Sequence, residues 1–480
     1  MPVAGLCDGC EVPTPEPWLA AAEASMIRSA PGTIEVIDIP YPSRLKAWWV
    51  VAAMFVASIV SVVDRGILTL VVDPVRHDLG ISDVQVSLLQ GLSFGIFYAV
   101  AGIPLGLLAD RFSRRRLLLA GIAIWSAATF LGGLAASFGE LFSARLVVGL
   151  GEAALAPCAV SMIGDMFPPD RRGRPISIYL LGQSLAGGLS VMLTGAILSG
   201  VPAGQFAWIS WLDGLAPWRV AFLMAGAAGL PVIMMLLSYR EPVRRGARLS
   251  ADANTFRQAL GYLRRNWILF LPYYAGFAML VMMAYSINAW SATYLMRQFG
   301  LLPAQVGRWQ GSVGIVLGTL GPLAAGIGVD WISRRMQPGG KLLFLVCVAL
   351  LMIPATFAVL MPSPVTAISA FGFVTFFMPV IGTGMVTSIQ EMVPNNMRGI
   401  GVSLFGLFNT ITGQTLGPYF VATLAARGAE GAGQPLGWAM TSVCLPAILA
   451  AAALYAIAYA GFRRLLRRNG EFAVVVTAGG

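Results

Sequence analysis

Apolar residues gather in twelve long runs separated by short polar stretches. The runs lie near 47–72, 83–108, 117–136, 141–165, 175–200 and 218–238, then 267–296, 305–329, 341–361, 364–391, 399–425 and 437–460. Each has room for the ~20 apolar residues that cross a bilayer as a helix. Trp48, Trp49, Trp208, Trp211, Trp218, Trp267 and Trp438 fall near the predicted ends, where amphipathic rings prefer the membrane interface. The pattern predicts an all-α membrane protein with twelve transmembrane helices.

Composition agrees. Of 480 residues 57% are apolar and 11% charged, against roughly 25% charged in an ordinary soluble protein. That excludes a soluble multi-domain enzyme, a disordered chain and a disulfide scaffold. Cys158, Cys347 and Cys444 fall inside apolar runs and read as packing residues. Cys7 and Cys10 form a C-x-x-C with no second pair to complete a zinc site. The single histidine, His77, falls in a predicted loop outside the spans. Residues 1–46 are polar to mixed, with no cationic stretch leading into a long apolar core, and read as a tail rather than a secretory signal. Met26 is an alternative start to Met1.

The net charge of +10 has a topological reading. With the N-terminus inside, 25 of the 32 Lys and Arg lie in inner segments. Five lie outside (Arg76, Arg219, Arg297, Arg308, Arg427), and Arg65 and Arg145 fall within spans. Cytoplasmic loops retain Lys and Arg, so the split predicts both termini in the cytoplasm and a multi-pass protein of the cell (inner) membrane.

The chain also repeats itself. Gly106, Asp110, Ser113, Arg114 and Arg115 after the second span match Gly326, Asp330, Ser333, Arg334 and Arg335 after the eighth, at an offset of 220, with Trp331 in place of the basic Arg111. Asp165, Met166, Pro168 and Arg172 match Glu391, Met392, Pro394 and Arg398 at an offset of 226. Two such matches indicate a duplicated six-helix unit. The expected organisation is a tail at 1–46, one lobe at 47–238, a basic linker at 239–266, a second lobe at 267–460 and a tail at 461–480.

The pattern G-x-x-x-D-R-x-x-R-R at 106–115 resembles the signature loop of the major facilitator superfamily, with Ser113 where a Gly is usual. Val63, Asp64 and Arg65 in the first span, Arg145 to Ala154 in the fourth, and Tyr285 to Trp290 in the seventh resemble the spinster-like branch. That branch implies a transporter of two six-helix lobes, with lysolipids and sphingoid lipids as substrates. The anion–cation symporter branch shares the Asp-Arg and Gly-Glu pairs and stays open as a competitor.

A charge in hydrocarbon costs several kcal/mol and marks function by default. Four such charges lie deep: Asp64, Arg65, Arg145 and Glu152. By helical rise, Asp64 lies about 12 Å from the outer end of its span, Arg145 about 6 Å and Glu152 about 16 Å. Arg145 and Glu152 are seven apart, on one helix face. If the first and fourth helices face one cavity, as the family fold implies, the four can cluster. A carboxylate whose water access and Arg partner change between two lobe arrangements changes its proton affinity. Asp64 and Glu152 are therefore the candidate proton acceptors, with Arg65 and Arg145 as counter-ions or as holders of an anionic headgroup. Asp110, beside Arg111, Arg114 and Arg115, is expected to pair across the lobe boundary, with Asp330 and Arg334 as its mirror. At Asp165–Arg172 and Glu391–Arg398 two readings stay open, a local carboxylate–Arg brace and solvated loop charges. The second lobe offers Tyr285, Asn288, Gln310, Asn409 and Gln414 among many apolar residues.

A cavity charged on one wall and apolar on the other suits an amphipathic molecule. The expected function is a proton-coupled secondary transporter working by alternating access on a lysolipid or sphingoid-type substrate. An organic-anion/proton symporter is the alternative and a passive channel the remote one. No membrane nucleophile–base pair, metal cluster or P-loop appears, so neither an enzyme nor an ATP-driven pump is expected. The reading needs protons, membrane lipid and a small-molecule or lipid substrate as partners. It needs no cofactor, metal or nucleic acid, and expects a monomer.

Overall fold

A computed structural model describes residues 41–168, 171–206, 208–209, 212, 214–244, 253–336, 339–394, 397–428 and 435–468; the side chains at 103, 110, 253–256, 399 and 468 fall outside the description. Cys7, Cys10 and Met26 therefore lie outside the described residues. Eleven helical stretches among those described are long and apolar enough to cross a membrane, as a multi-pass integral membrane protein requires.

The first crossing, α1 (Arg44–Gly66), continues as a 3₁₀ turn, Ile67–Thr69. A short helix α2 (Val72–Leu79) follows and carries His77, which the sequence pattern had placed in a loop. A capping box then starts the second crossing: Ser82 Oγ accepts from the Gln85 N–H, and Gln85 Oε1 accepts from the Ser82 N–H. That crossing is α3 (Asp83–Gln90) and α4 (Leu92–Arg111), broken at Gly91. The third is α5 (Arg114–Gly132). The fourth is α6 (Phe138–Glu152) and α7 (Leu155–Met166), and the fifth is α8 (Gly173–Gly200). The sixth is α9 (Pro217–Ala227) with α10 (Gly229–Leu237).

The basic stretch contains a helix of its own, α11 (Ala253–Arg265). Beyond it run α12 (Trp267–Phe299), α13 (Pro303–Arg335), α14 (Gly340–Leu351) with α15 (Ile353–Thr356), and α16 (Pro364–Met392). The segment Arg398–Gly428 is helical but uneven: α17 (Arg398–Phe408), a π-helical stretch Asn409–Leu416, and α18 (Gly417–Gly428). The last crossing is α19 (Pro435–Arg468). Several helices outrun the predicted spans because their final turns leave the apolar zone with Arg, as α13 and α19 do. Gly300 ends α12 at φ 63°, a left-handed stop that favours glycine.

The helices before and after the basic stretch form two lobes. They meet chiefly along α8 and α13. A Cβ on Gly188 would lie 2.5 Å from the Gly311 carbonyl, so the two backbones touch there and only glycine fits. The seam runs from Ser184 and Gly318 to Gly195 and Pro303. It therefore occupies the halves of α8 and α13 remote from the arginine-rich loops. On the same side α3 packs against α18.

Candidate functional site

The four deep charges do meet, as two crossed pairs. Arg145 Nη1 donates to Asp64 Oδ1 at 3.0 Å, and Arg65 Nε lies 3.0 Å from Glu152 Oε2. Thr129 Oγ1 donates to the second oxygen of Asp64. Ser61 Oγ donates to Glu152 Oε2 at 2.8 Å and accepts from Arg65 Nη2 at 3.0 Å. Asp64, Arg145 and Glu152 are buried, whereas the Arg65 side chain keeps 30% exposure. Two atoms in the cluster, Glu152 Oε1 and Arg145 Nε, are buried without a hydrogen-bond partner among the described residues.

Local structure explains this arrangement. Successive residues on a helix point about 100° apart, so Asp64 turns to α5 and α6 while Arg65 turns toward α4 and the lobe boundary. The guanidinium of Arg65 rests 5.2 Å from the Phe94 ring centroid and 5.9 Å from that of Tyr98. Glu152 is the last residue of α6. Pro157, one turn on, lacks an N–H, and its ring crowds the carbonyl four residues back at Ala153, so the helix breaks there.

Arg65 opens onto a cavity of about 480 Å³ between the lobes. Tyr285, Asn288, Asn409 and Gln414 all line it, together with Gln90, Gln183 and Gln310. Asn409 Nδ2 donates to Tyr285 Oη at 3.3 Å. The wall of the second lobe is thus richer in carboxamides than an apolar reading expects. Gln90 and Gln183, from the first lobe, were not singled out from sequence. Their signal was available: a Gln within an apolar run needs partners just as a charge does.

The signature loop sits at the arginine-rich end. Arg114 is buried, against Asp165 of α7 and Glu241 just beyond α10. Ser113 Oγ donates to Glu241, and Arg115 donates to the Leu236 and Leu237 carbonyls. Burial works to raise the Glu241 carboxyl, but the hydrogen bonds from Ser113 and Arg114 outweigh it and hold the group below its ordinary range. A lowered carboxyl stabilises the fold above the ordinary value, and that contribution fades as pH falls through the lowered one.

The local-brace reading is corrected at both pairs. Asp165 pairs with Arg114, while Arg172 Nε donates to the Phe167 carbonyl. Glu391 pairs with Lys341 at 2.6 Å, while Arg398 donates to the Val393 and Gln390 carbonyls. In both loops the nearby Arg closes its own turn and leaves the acid to a neighbouring crossing. Gly106 is partly buried, and Arg111, Asp330 and Arg334 are exposed. The side chain of Asp110 lies outside the described residues.

The opposite end holds a cluster that sequence reading counted only as topology. Arg297, at the end of α12, reaches Asp73 Oδ1 at 2.6 Å and both Asp83 oxygens at 2.9 Å. Arg76 lies 3.0 Å from Asp83. One guanidinium of the second lobe thus grips two carboxylates of the first. Arg297→Gln should raise the population separated at this end about tenfold, which corresponds to ~1.4 kcal/mol. Nitroxide distances between labels at the exposed Leu134 and Leu360, in a background without native cysteines, should lengthen; unchanged distances would show that the clamp does not hold the lobes.

Comparison with known proteins adds kinship. The sequence profile of the Major Facilitator Superfamily matches residues 54–418. An MFS-type efflux pump of Mycolicibacterium smegmatis is 27% identical over 432 residues, covering 87% of this chain and 94% of the pump. Protein spinster of Drosophila melanogaster is 27% identical over 295 residues, 60% of this chain and 46% of that protein. Among solved structures, a bacterial homologue of the human lysosomal transporter Spinster, inward-facing and unoccupied, superposes with a TM-score of 0.77. It is 25% identical, and the match covers 88% of this chain and 99% of that one.

Proposed function

The chain belongs to the major facilitator superfamily and is related to its spinster branch, and from that premise we propose that it is a proton-coupled carrier of an amphipathic molecule with an anionic head. Members of the superfamily are secondary active transporters working by alternating access, not enzymes. One observation carries the finer reading: of four charges gathered inside the lobes, only Arg65 opens onto the inter-lobe cavity, with Glu152 buried directly behind it.

The coupling follows from that placement. Glu152 shares Arg65 with any anion that arrives in the cavity. When an anionic head takes the guanidinium, Glu152 loses its counter-ion and is favoured in its protonated form. The Glu152 oxygen without a donor is where that proton would sit. Asp64, held by Arg145 and Thr129, is the second acceptor, further from the cavity. Arg65 and Arg145 act as counter-ions.

The same reading counts Arg398–Gly428 as the eleventh of twelve crossings and puts both termini in the cytoplasm, in keeping with the Lys and Arg partition. Lobes at 47–238 and 267–460 would move about the linker at 239–266. With the arginine-rich end inside, the clamp at Arg297 closes the outer side, as an inward-facing carrier requires. Gly106, Asp110, Arg111, Arg114, Arg115, Asp330 and Arg334 would meet across that inner end in the opposite state. A second reading, an organic-anion/proton symporter, draws support from the carboxamide wall.

Proteoliposomes holding a pH-sensitive dye test the coupling. A panel of anionic lysolipids and small organic anions is added outside. At least one should move protons in step with its own entry, only in vesicles that contain the protein. A transported anion that moves no protons would overturn the coupling.

A further inference from the structure

One surface remote from the cavity has a pattern of its own. We propose that the outward side of α11, with the start of α12 and the end of α19, is a binding site for a diacyl phospholipid with an anionic head, in the leaflet at the arginine-rich end.

Arg257, Leu260 and Arg264 are spaced i, i+3 and i+7 along α11, which puts them on one helix face. Tyr262 stands two residues from both Leu260 and Arg264, about 200° round the helix, so it faces the other way. That other side docks α11 on the second lobe. Tyr262 Oη donates to the Met392 carbonyl at 2.9 Å, its ring lies 5.8 Å from that of Phe270, and Ala259 is buried. The backbone N–H and the Nδ2 of Asn266 both donate to the Tyr262 carbonyl, which ties α11 to the start of α12.

The side left over mixes charge with apolar surface. Leu260 is 56% exposed, Trp267 58% and Leu271 59%, and Arg257, Arg264 and Arg265 are exposed among them. A helix facing only water shows polar residues on its outer side, whereas one lying in the membrane interface shows large apolar residues beside basic ones. Trp267 and Leu271 begin a crossing, so the apolar strip of α11 continues onto the flank of the bundle. The last helix adds a cation. Gly461 packs so closely on α12 that a Cβ there would lie 3.0 Å from the Ile268 carbonyl. Arg464, one turn further toward the arginine-rich end, is exposed and emerges beside the junction of α11 and α12.

Charge decides the head. α11, α12 and α19 contain no Asp or Glu, and Arg257, Arg264, Arg265 and Arg464 make no ion pair among the described residues. Topology alone needs cations in number; it needs neither two of them flanking an exposed Leu nor a Trp beneath. A phosphodiester accepts from guanidinium groups, while the ammonium of a zwitterionic head would bring like charge to a cluster without acids. The acyl chains would lie along Trp267, Ile268 and Leu271. None of these residues lines the inter-lobe cavity, so a lipid held here is distinct from the transported molecule.

A fluorophore on Gly261→Cys reports on this side of α11, because the position is exposed with open space around it. The full chain, otherwise without cysteine, is placed in phosphatidylcholine nanodiscs containing a minor fraction of lipid brominated near the head of its acyl chains. The brominated lipid is either phosphatidylglycerol or phosphatidylcholine. The phosphatidylglycerol should associate about fivefold or more tightly, judged by quenching, and added salt should reduce that preference. Arg257→Gln combined with Arg264→Gln should bring the ratio close to one.

Equal quenching by the two lipids would leave an interfacial helix with no anionic site and overturn the proposal. Absence of quenching by either would put this side of α11 in water and overturn it as well. So would a preference that the double variant leaves intact, since the arginines would then not be its source. The comparison of lipids needs neither arginine variant, so it decides the matter even where the double variant misfolds. Its outcome is independent of the substrate and of proton coupling.

Discussion

Glu152→Gln is expected to lose uphill uptake driven by a pH gradient, by at least tenfold, while downhill exchange of the same anion persists. The substitution keeps the shape of the side chain. Its carbonyl oxygen can still accept from Ser61 and Arg65, which now hold Oε2 at 2.8 Å and 3.0 Å. What goes is the ability to bind and release a proton at the oxygen that has no donor. Carriers coupled at one carboxylate separate these two activities, because exchange needs only the loaded form to cross. The measurement is accumulation ratio against imposed pH difference in proteoliposomes, beside counterflow of labelled anion without a gradient. Undiminished pH-driven accumulation by the variant would remove Glu152 from the coupling.

Arg145→Leu should be the most destabilising change in the cluster. Arg145 and Asp64 are both buried, and the lost guanidinium leaves a carboxylate with Thr129 as its remaining close partner. Removing one partner of a buried pair costs about 3–5 kcal/mol. Removing both costs far less, because no charge is then stranded. The pair Asp64→Leu with Arg145→Leu should therefore recover most of the loss, in unfolding of the detergent-solubilised protein. A double variant no better than the single would mean that Arg145 acts through packing rather than charge.

Much of the site was legible in the sequence, for a physical reason. Charges are scarce within apolar runs, so Asp64, Arg65, Arg145 and Glu152 stood out individually, and helical rise placed them at compatible depths. The pairing did not stand out. Whether Asp64 reaches Arg145 and Arg65 reaches Glu152 depends on the rotation of α1 against α6, which the sequence leaves open because neighbouring Asp64 and Arg65 face different ways. Nor could sequence separate a loop arginine that sets topology from one that builds structure. Arg114 looked like the former and is buried, because Asp165 and Glu241 arrive from distant parts of the chain. Arg297 was counted as outer charge, and its partners Asp73 and Asp83 are over 200 positions away. The amide wall was half seen: Asn288, Asn409 and Gln414 were noted singly, whereas Gln90 joins them only once α3 lies against the second lobe.

The two acids and two arginines of the cluster cancel, and that cancellation has an electrical consequence. A proton taken up alone leaves the cluster with one excess positive charge, and a singly charged anion restores neutrality. A carrier loaded with one of each would reorient without moving net charge through the bilayer field, which otherwise weighs on each elementary charge by about 2.3 kcal/mol per 100 mV. Such a transporter would draw on the chemical part of the proton gradient and be blind to the voltage, whereas a dianion carried with one proton would make it sense the membrane potential.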